Sequence, residues 1–233
     1  HESAAYTFNI KGVTLSLEGG LKGHVRSMES RLTNFPQELP GVAENVVNTN
    51  YLILYATPKF EYWVNRVNIS LNLPLSYAHY GFDKAIANHN EGYFSPSLSF
   101  NWKPNNHFSG TIRAGLGRSP MSLDLIHPGL IMSSYRTLKA GLEQFYNSSS
   151  QNVSANLSYK HTRYGLFANG MVLHSWTHVP YTMVQQLYGD YVTYSYADSR
   201  NDGKMLLVLG NIGKTLDFMR GSCNVNGSFR RNE

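Results

Sequence analysis

A chain of 233 residues with one cysteine is long enough for a sizeable core, but it has no disulfide framework and no cysteine-based zinc site. Only 15% of its residues are charged, against roughly a quarter in soluble domains, while 16 Tyr, 22 Asn and 20 Gly favour strands, turns and wet surfaces over helices. The net charge of +5 is spread without a Lys/Arg block, so nucleic-acid binding finds no support, and no apolar run approaches the roughly 18 residues of a transmembrane helix. A transmembrane β-barrel survives that exclusion, because its strands are apolar only at alternate positions.

The chain opens HESAAYTFNI, without the basic and apolar regions of a signal peptide, so any such segment is expected to be already removed or outside this sequence. A short turn is expected at Lys11-Gly12, followed by a long connection over 23–47. Leu52, Leu54, Ala56, Pro58, Phe60 and Tyr62 then alternate with Tyr55, Thr57, Lys59 and Glu61. After a turn at Asn65-Arg66, Val67, Ile69, Leu71, Leu73, Leu75 and Tyr77 alternate with Asn68, Ser70, Asn72, Pro74 and Ser76. Phe94, Pro96, Leu98, Phe100 and Trp102 repeat the pattern up to a turn at Pro104-Asn105-Asn106, and Val153, Ala155, Leu157 and Tyr159 repeat it up to His161-Thr162-Arg163. Period 2 is the signature of a strand with one greasy and one wet face. Prolines 58, 74 and 96 each remove a ladder donor and mark expected bulges or strand ends.

Residues 205–217, MLLVLGNIGKTLD, contain Gly213-Lys214-Thr215, the tail of a phosphate-binding loop. The first glycine of that motif would stand at position 208, which is Val208, and a helix should follow. Instead Met219 to Phe229 alternates at period 2, so the segment is expected to be strand, tight turn near Thr215-Leu216-Asp217, and strand, with Cys223 a small hydrophobe on the greasy face.

Short turns and long connections (23–47, 79–92, 118–149, 178–203) alternate along the chain, and about ten strands of about 10 residues are expected. The expected fold class is all-β: an antiparallel up-and-down meander forming part of a transmembrane β-barrel, whose short turns lie at one end and long loops at the other. Aromatic residues near strand ends (Tyr62, Trp63, Tyr77, Trp102, Tyr159, Tyr164, Trp176) suit interfacial girdles. An antiparallel soluble sheet packing one face in a core produces the same alternation.

The stretches YATPKFEYWVNRVNISLNLPLSY, FSPSLSFNWKPNNHFSGTIRAGLG, SYRTLKAGLEQFYNSSSQNVSANLSYKHTRYGLFAN and GNIGKTLDFMRGSCNVNGSF resemble successive hairpins of TonB-dependent outer-membrane receptors. The resemblance is to the Bacteroidetes group whose plug follows a carboxypeptidase-regulatory-like domain, and it covers the chain from about residue 50. It implies an outer-membrane location and energy-coupled uptake of an oligosaccharide, peptide, siderophore or similar nutrient. The implied partners are membrane lipid, the remaining strands and plug of the receptor, and an inner-membrane energy-coupling protein. Such receptors close about 22 strands around a plug. About ten strands without a plug-like segment, ending SFRRNE without a terminal aromatic, lead to the expectation that residues 1–233 are a single, partial barrel domain. Two alternatives are a soluble β-rich binding or adhesin module and a small self-contained outer-membrane barrel enzyme.

No enzymatic step, metal or cofactor is expected. His174 and His178 stand four apart, which on a strand is about 13 Å, too far for one ion. GLGRSP at 115–120 has Pro120 where a dinucleotide fingerprint needs glycine, and Asp124 with His127 is a bare Asp-x-x-His. Ligand contact is expected in the segment around Trp176, Tyr181, Tyr188, Tyr191 and Tyr194, which also carries Gln185, Gln186, Asp190 and Asp198, because rings stack and polar groups read orientation. A girdle, or a packed hairpin standing above the membrane, accounts for the same residues. The charges expected to face a lumen are Lys59, Glu61, Arg113, Lys160 and Arg220.

Overall fold

A computed structural model describes residues 2–32, 44–82, 87–127, 129–142, 144–216 and 221–233. The strands are β1 (Glu2–Ile10), β2 (Val13–Arg31), β3 (Glu44–Val64), β4 (Val67–Asn72), β5 (Leu75–Phe82), β6 (His89–Phe94) and β7 (Ser97–Trp102). They continue as β8 (Phe108–Pro120), β9 (Leu130–Ser134), β10 (Thr137–Ala140), β11 (Asn147–His161), β12 (Leu166–Tyr188), β13 (Tyr191–Leu216) and β14 (Gly221–Asn232). All join one sheet, and none of the described helices is long and apolar enough to cross a membrane.

Fourteen elements reduce to the expected ten-strand meander plus one added hairpin. β4 and β5 pair successive stretches of β3, and β7 and β6 pair β4 and β5 in turn, so each couple is one strand interrupted at a proline. The interruptions fall at Leu73-Pro74 and Ser95-Pro96, where ring nitrogens cannot donate; the carbonyls of Pro74 and Pro96 still accept from Ser95 N–H at 3.2 Å and Leu116 N–H at 2.9 Å. The remaining hairpin, β9–β10, lies within the connection between β8 and β11.

The two ends of the sheet differ as expected. At one end the chain reverses at Lys11-Gly12 (φ +43° and +87°), at Asn65-Arg66 (φ +50° at Asn65), after Trp102, and at Thr162–Tyr164 with Gly165 at φ +56°. Asn105 organises the turn after Trp102 by accepting from the N–H groups of His107 and Phe108. The turn expected at Thr215-Leu216-Asp217 begins where β13 ends and continues outside the described residues.

At the other end two expected long loops are corrected. Residues 178–203 are paired strand nearly throughout, reversing at Gly189-Asp190, and of the connection expected over 23–47, residues 23–31 and 44–47 are the upper parts of β2 and β3 while 33–43 lie outside the described residues. These stretches have mixed polarity because neither face meets lipid and the covered one is partly polar, with Asn45 and Thr49 buried beside Val47, while backbone pairing continues throughout. Where Pro180 stands, Ser199 and Arg200 both fall opposite it: β12 runs Val179 to Tyr181 while β13 runs Asn201 to Asp198. That bulge absorbs the missing proline donor and reverses which residues of β13 share a face above it.

Register sorts the faces. Leu15, Phe60, Leu71 and Leu98 stand side by side on the outward face, and Val153, Val172, Val208 and Phe229 continue it. Leu52 to Tyr62 span about 34 Å of strand, which at a barrel tilt of about 45° makes an apolar band about 25 Å tall. Large apolar residues across this band are exposed, Leu54 and Leu157 at 53% each. The opposite face carries Ser16, Lys59, Asn72 and Ser97 in one row and Glu61, Ser70 and Ser99 in the next.

Candidate functional site

The buried cluster of the molecule is at the long-element end of the inward face. Ala78, Tyr80, Phe82 and Tyr93 of β5 and β6 pack against Met121, Ile126 and Leu142 of the connection between β8 and β11, with Tyr181 and Tyr196 of the β12–β13 hairpin beside them. This connection is a strap laid across the concave side. At one end Asn45 of β3, fully buried, accepts from the Gly129 N–H at 2.6 Å and donates to the Leu130 carbonyl at 3.0 Å. At the other end β10 pairs in parallel with β13, Thr137 opposite Val192. Leu130 and Leu138 of the hairpin bury themselves against Tyr188 and Tyr191.

Close backbone packing holds the strap's middle. Leu142 N–H donates to the Leu125 carbonyl at 2.6 Å, and a Cβ on Gly141 would lie 2.2 Å from the His127 carbonyl oxygen, so only glycine fits. Aromatic rings line the strand side: Tyr51, Tyr80, Phe145 and His89 follow one another at centroid distances of 6.1, 4.8 and 4.4 Å. Glu91 anchors this row, pairing His89 Nε2 at 3.1 Å and Arg118 at 2.8 Å.

His127 is buried, and Nδ1–H donates to the Gly129 carbonyl at 2.7 Å. Burial holds its pKa below the ordinary histidine value, the Gly129 carbonyl opposing in part. The folded strap therefore prefers the neutral ring, and its contribution is full above the ordinary value of about 6.5 and is lost as pH falls below it. Amide hydrogen exchange of Leu125–Ile126 and Leu138–Leu142 is expected to accelerate, beyond the intrinsic rate change, between pH 7.5 and pH 5. His127→Gln, a donor that does not titrate, should remove that part of the acid response; an unchanged response in the variant would assign it to another group.

The five aromatic residues expected at a ligand fall in three places. Trp176 stands on the outward face, stacked on His174 at 3.8 Å and paired in register with Lys204 and Gln151. Tyr188 and Tyr191 face Leu130 and Leu138. Because of the bulge, Tyr181 and Tyr194 share the opposite hairpin face with Gln185, Tyr196 and Asp198, and Tyr146 of the strap donates its hydroxyl to Asp198. Tyr181 packs on Tyr146 and Tyr196 at 5.7 and 5.8 Å. Burial, with Tyr181 adding to it, pushes the Tyr196 pKa up, so this phenol stays a neutral donor.

The lumen charges are likewise dispersed. Lys59 and Glu61 form an ion pair at 2.6 Å, and Arg113 borders an open recess of about 430 Å³ with Ser70, Asn72, Ser99, Asn152 and Ser154. Lys160 sits over the Phe167 ring at 5.9 Å at the short-turn end, and Arg220 lies outside the described residues. His178 bonds Asp202 at 2.5 Å rather than joining His174, and among the described residues no group of His, Cys, Asp and Glu could hold a metal. The side chain of Asp124 is outside the described part. Sequence reasoning passed over Asn45, Gly141 and the Pro180 bulge, since their partners are distant in the chain.

No protein-family model and no curated protein sequence matches the chain. Among solved structures, a copper transporter, OprC, superposes with a TM-score of 0.68 at 8% identity, over 98% of this chain and 36% of its own length. The fold is that of an outer-membrane β-barrel, in part. The siderophore receptor PirA from Pseudomonas aeruginosa aligns over 99% of this chain and 56% of its own, at 8% identity and a TM-score of 0.49. The chain thus spans little more than a third of the copper transporter it matches.

Proposed function

We propose that residues 1–233 are one portion of the barrel of a TonB-dependent outer-membrane receptor that takes up a nutrient by energy coupling. The observation that carries this reading is the two-faced wall: an apolar band of membrane height outside, a polar face inside, and a strap folded over the inward side. A soluble sheet would cover its greasy face, whereas here Leu54, Leu157 and Ile212 are all more than half exposed. On this reading the missing strands and plug, and the inner-membrane coupling protein, are the partners, and the chain performs transport rather than a reaction.

Orientation supplies the test. With Cys223 first replaced by Ser, a cysteine at Gly189 should react with an impermeant maleimide on intact cells, and a cysteine at Arg66 only after the outer membrane is opened. Equal labelling at both sites on intact cells would overturn the reading.

Within the barrel, an oligosaccharide, peptide or siderophore-like ligand meets the inward face, so Tyr181 and Tyr194, flanked by Gln185 and Asp198, carry the contact in this proposal. Replacing Tyr181 and Tyr194 with Ala in the full-length receptor should weaken uptake about three- to tenfold per ring, with assembly unchanged. Trp176→Ala, on the outward face, should leave uptake alone; the reverse pattern would move the site.

A further inference from the structure

The short-turn end of the sheet carries a charge arrangement that transport does not use. Lys11, Arg66, Lys103, Lys160, Arg163 and Lys214 all stand in or beside its turns, and all six are exposed. Among the described residues none of them makes an ion pair, and the sequence places a single carboxylate, Asp217, in these turns. The acidic residues concentrate at the other end instead, among them Glu44, Glu91, Asp190, Asp198 and Asp202. Six exposed cations on one rim, none of them ion-paired among the described residues, set up a positive potential that favours an anionic surface.

The second observation is what lies next to them. Tyr62 and Trp102, exposed, close the apolar band on the outward face directly beside these turns, and Trp63 and Tyr164 stand exposed at the same level. Amphipathic rings at the foot of an apolar band mark the boundary between hydrocarbon and headgroups. Lysine and arginine stems one or two residues beyond that boundary reach headgroup phosphates without leaving water. Lys103 and Arg66 are brought into one cluster by the hydrogen bond from the Lys103 N–H to the Arg66 carbonyl at 2.9 Å.

We infer that the short-turn rim is a binding surface for anionic phospholipid headgroups of the adjoining leaflet, with Lys11, Arg66, Lys103, Arg163 and Lys214 as the phosphate contacts. This rests on the membrane-barrel reading. Lys160 is left out of the contact set because it lies over Phe167.

The test uses the full-length receptor inserted in bilayers, with Trp176 and every tryptophan outside this chain replaced by Phe so that Trp63 and Trp102, both at this rim, are the only tryptophan reporters. Quenching by brominated phosphatidylglycerol is compared with quenching by brominated phosphatidylcholine. Each cation a headgroup reaches is worth about a fivefold preference for the anionic lipid, so a preference of about fivefold or more is expected, falling in roughly 0.5 M salt. The variant K11Q/R66Q/K103Q/R163Q/K214Q should quench equally with both lipids, while the charge-keeping set K11R/R66K/K103R/R163K/K214R should retain the preference. Equal quenching in the unsubstituted rim, or a preference that survives neutralisation, overturns the inference. Equal quenching combined with capture of the chain by an immobilised polyglutamate would assign the rim to an acidic protein and overturn it too. Failure of the full-length receptor to insert into either bilayer would sink the barrel reading itself, which separates the two.

Discussion

Leu71→Arg is expected to abolish most assembly of the barrel wall, while Ser70→Arg, one residue earlier, leaves it intact. Leu71 stands in the outward row between Phe60 and Leu98, in the interior of the apolar band. An arginine facing lipid at that depth costs about 2–4 kcal/mol, a factor of roughly thirty to nearly a thousand in the folding equilibrium. Ser70 is its neighbour on the inward face, opposite Glu61 and Ser99 and beside the polar recess that Arg113 borders. A guanidinium there is solvated and finds the Glu61 carboxylate across the strand pair. Refolding of the full-length receptor into bilayers, read as the fraction with heat-modifiable gel mobility, separates the two variants. Equal tolerance at both positions would refute a membrane-facing outward surface.

The second large effect is local. Asn45→Ala should release the strap from β3 while the ten-strand meander stays paired. The side chain satisfies one strap donor and one strap acceptor, Gly129 N–H and Leu130 C=O, and also donates to Ser30 Oγ at 3.1 Å. Truncation strands two buried backbone groups, each at about 1–3 kcal/mol, so the docked strap loses about 2–6 kcal/mol in total. Hydrogen exchange of strap amides should rise by at least about thirtyfold, with exchange in β11 and β12 unaltered. Asn45→Asp keeps the acceptor for Gly129 but offers the Leu130 carbonyl a second acceptor in place of a donor, so it should open the strap as well. Unchanged protection in both variants would show that β10–β13 pairing and the apolar cluster hold the strap without the clasp.

The two predictions draw on different kinds of information. The alternation at Leu52–Tyr62, Val67–Tyr77 and Val153–Tyr159 was visible in the chain because a strand's two faces are written into adjacent residues. The ten strands followed from it, as did the short turns at Lys11-Gly12 and Asn65-Arg66, where positive φ is taken by Lys11, Gly12 and Asn65. Prolines 74 and 96 were legible as interruptions, but not their consequence, that each divided strand keeps its place in the sheet. The long connections were misjudged where pairing continued above the apolar band, since the face covered there is partly polar (Asn45, Thr49, Thr193) and no clean greasy–polar alternation marks the strand.

The ligand-facing expectation shows the limit most sharply. Trp176, Tyr181, Tyr188, Tyr191 and Tyr194 are close in sequence and chemically alike, yet one faces outward, two face the strap's Leu130 and Leu138, and two face the side where Tyr146 and Asp198 meet. Along β12 ordinary alternation separates Tyr181 from Trp176 and Tyr188, while the extra β13 residue opposite Pro180 decides on which face Tyr191 and Tyr194 fall, because a bulge shifts parity for every residue beyond it on its strand. By itself, the sequence determined the membrane-height band, its polar reverse face and the two unlike ends, all of which depend on neighbours one to three residues apart. Only the tertiary structure decided that the β8–β11 connection folds back across the concave side. Asn45 meets Gly129 and Leu130, and Thr137 meets Val192, across separations of more than 50 residues, and no local periodicity encodes contacts at that distance.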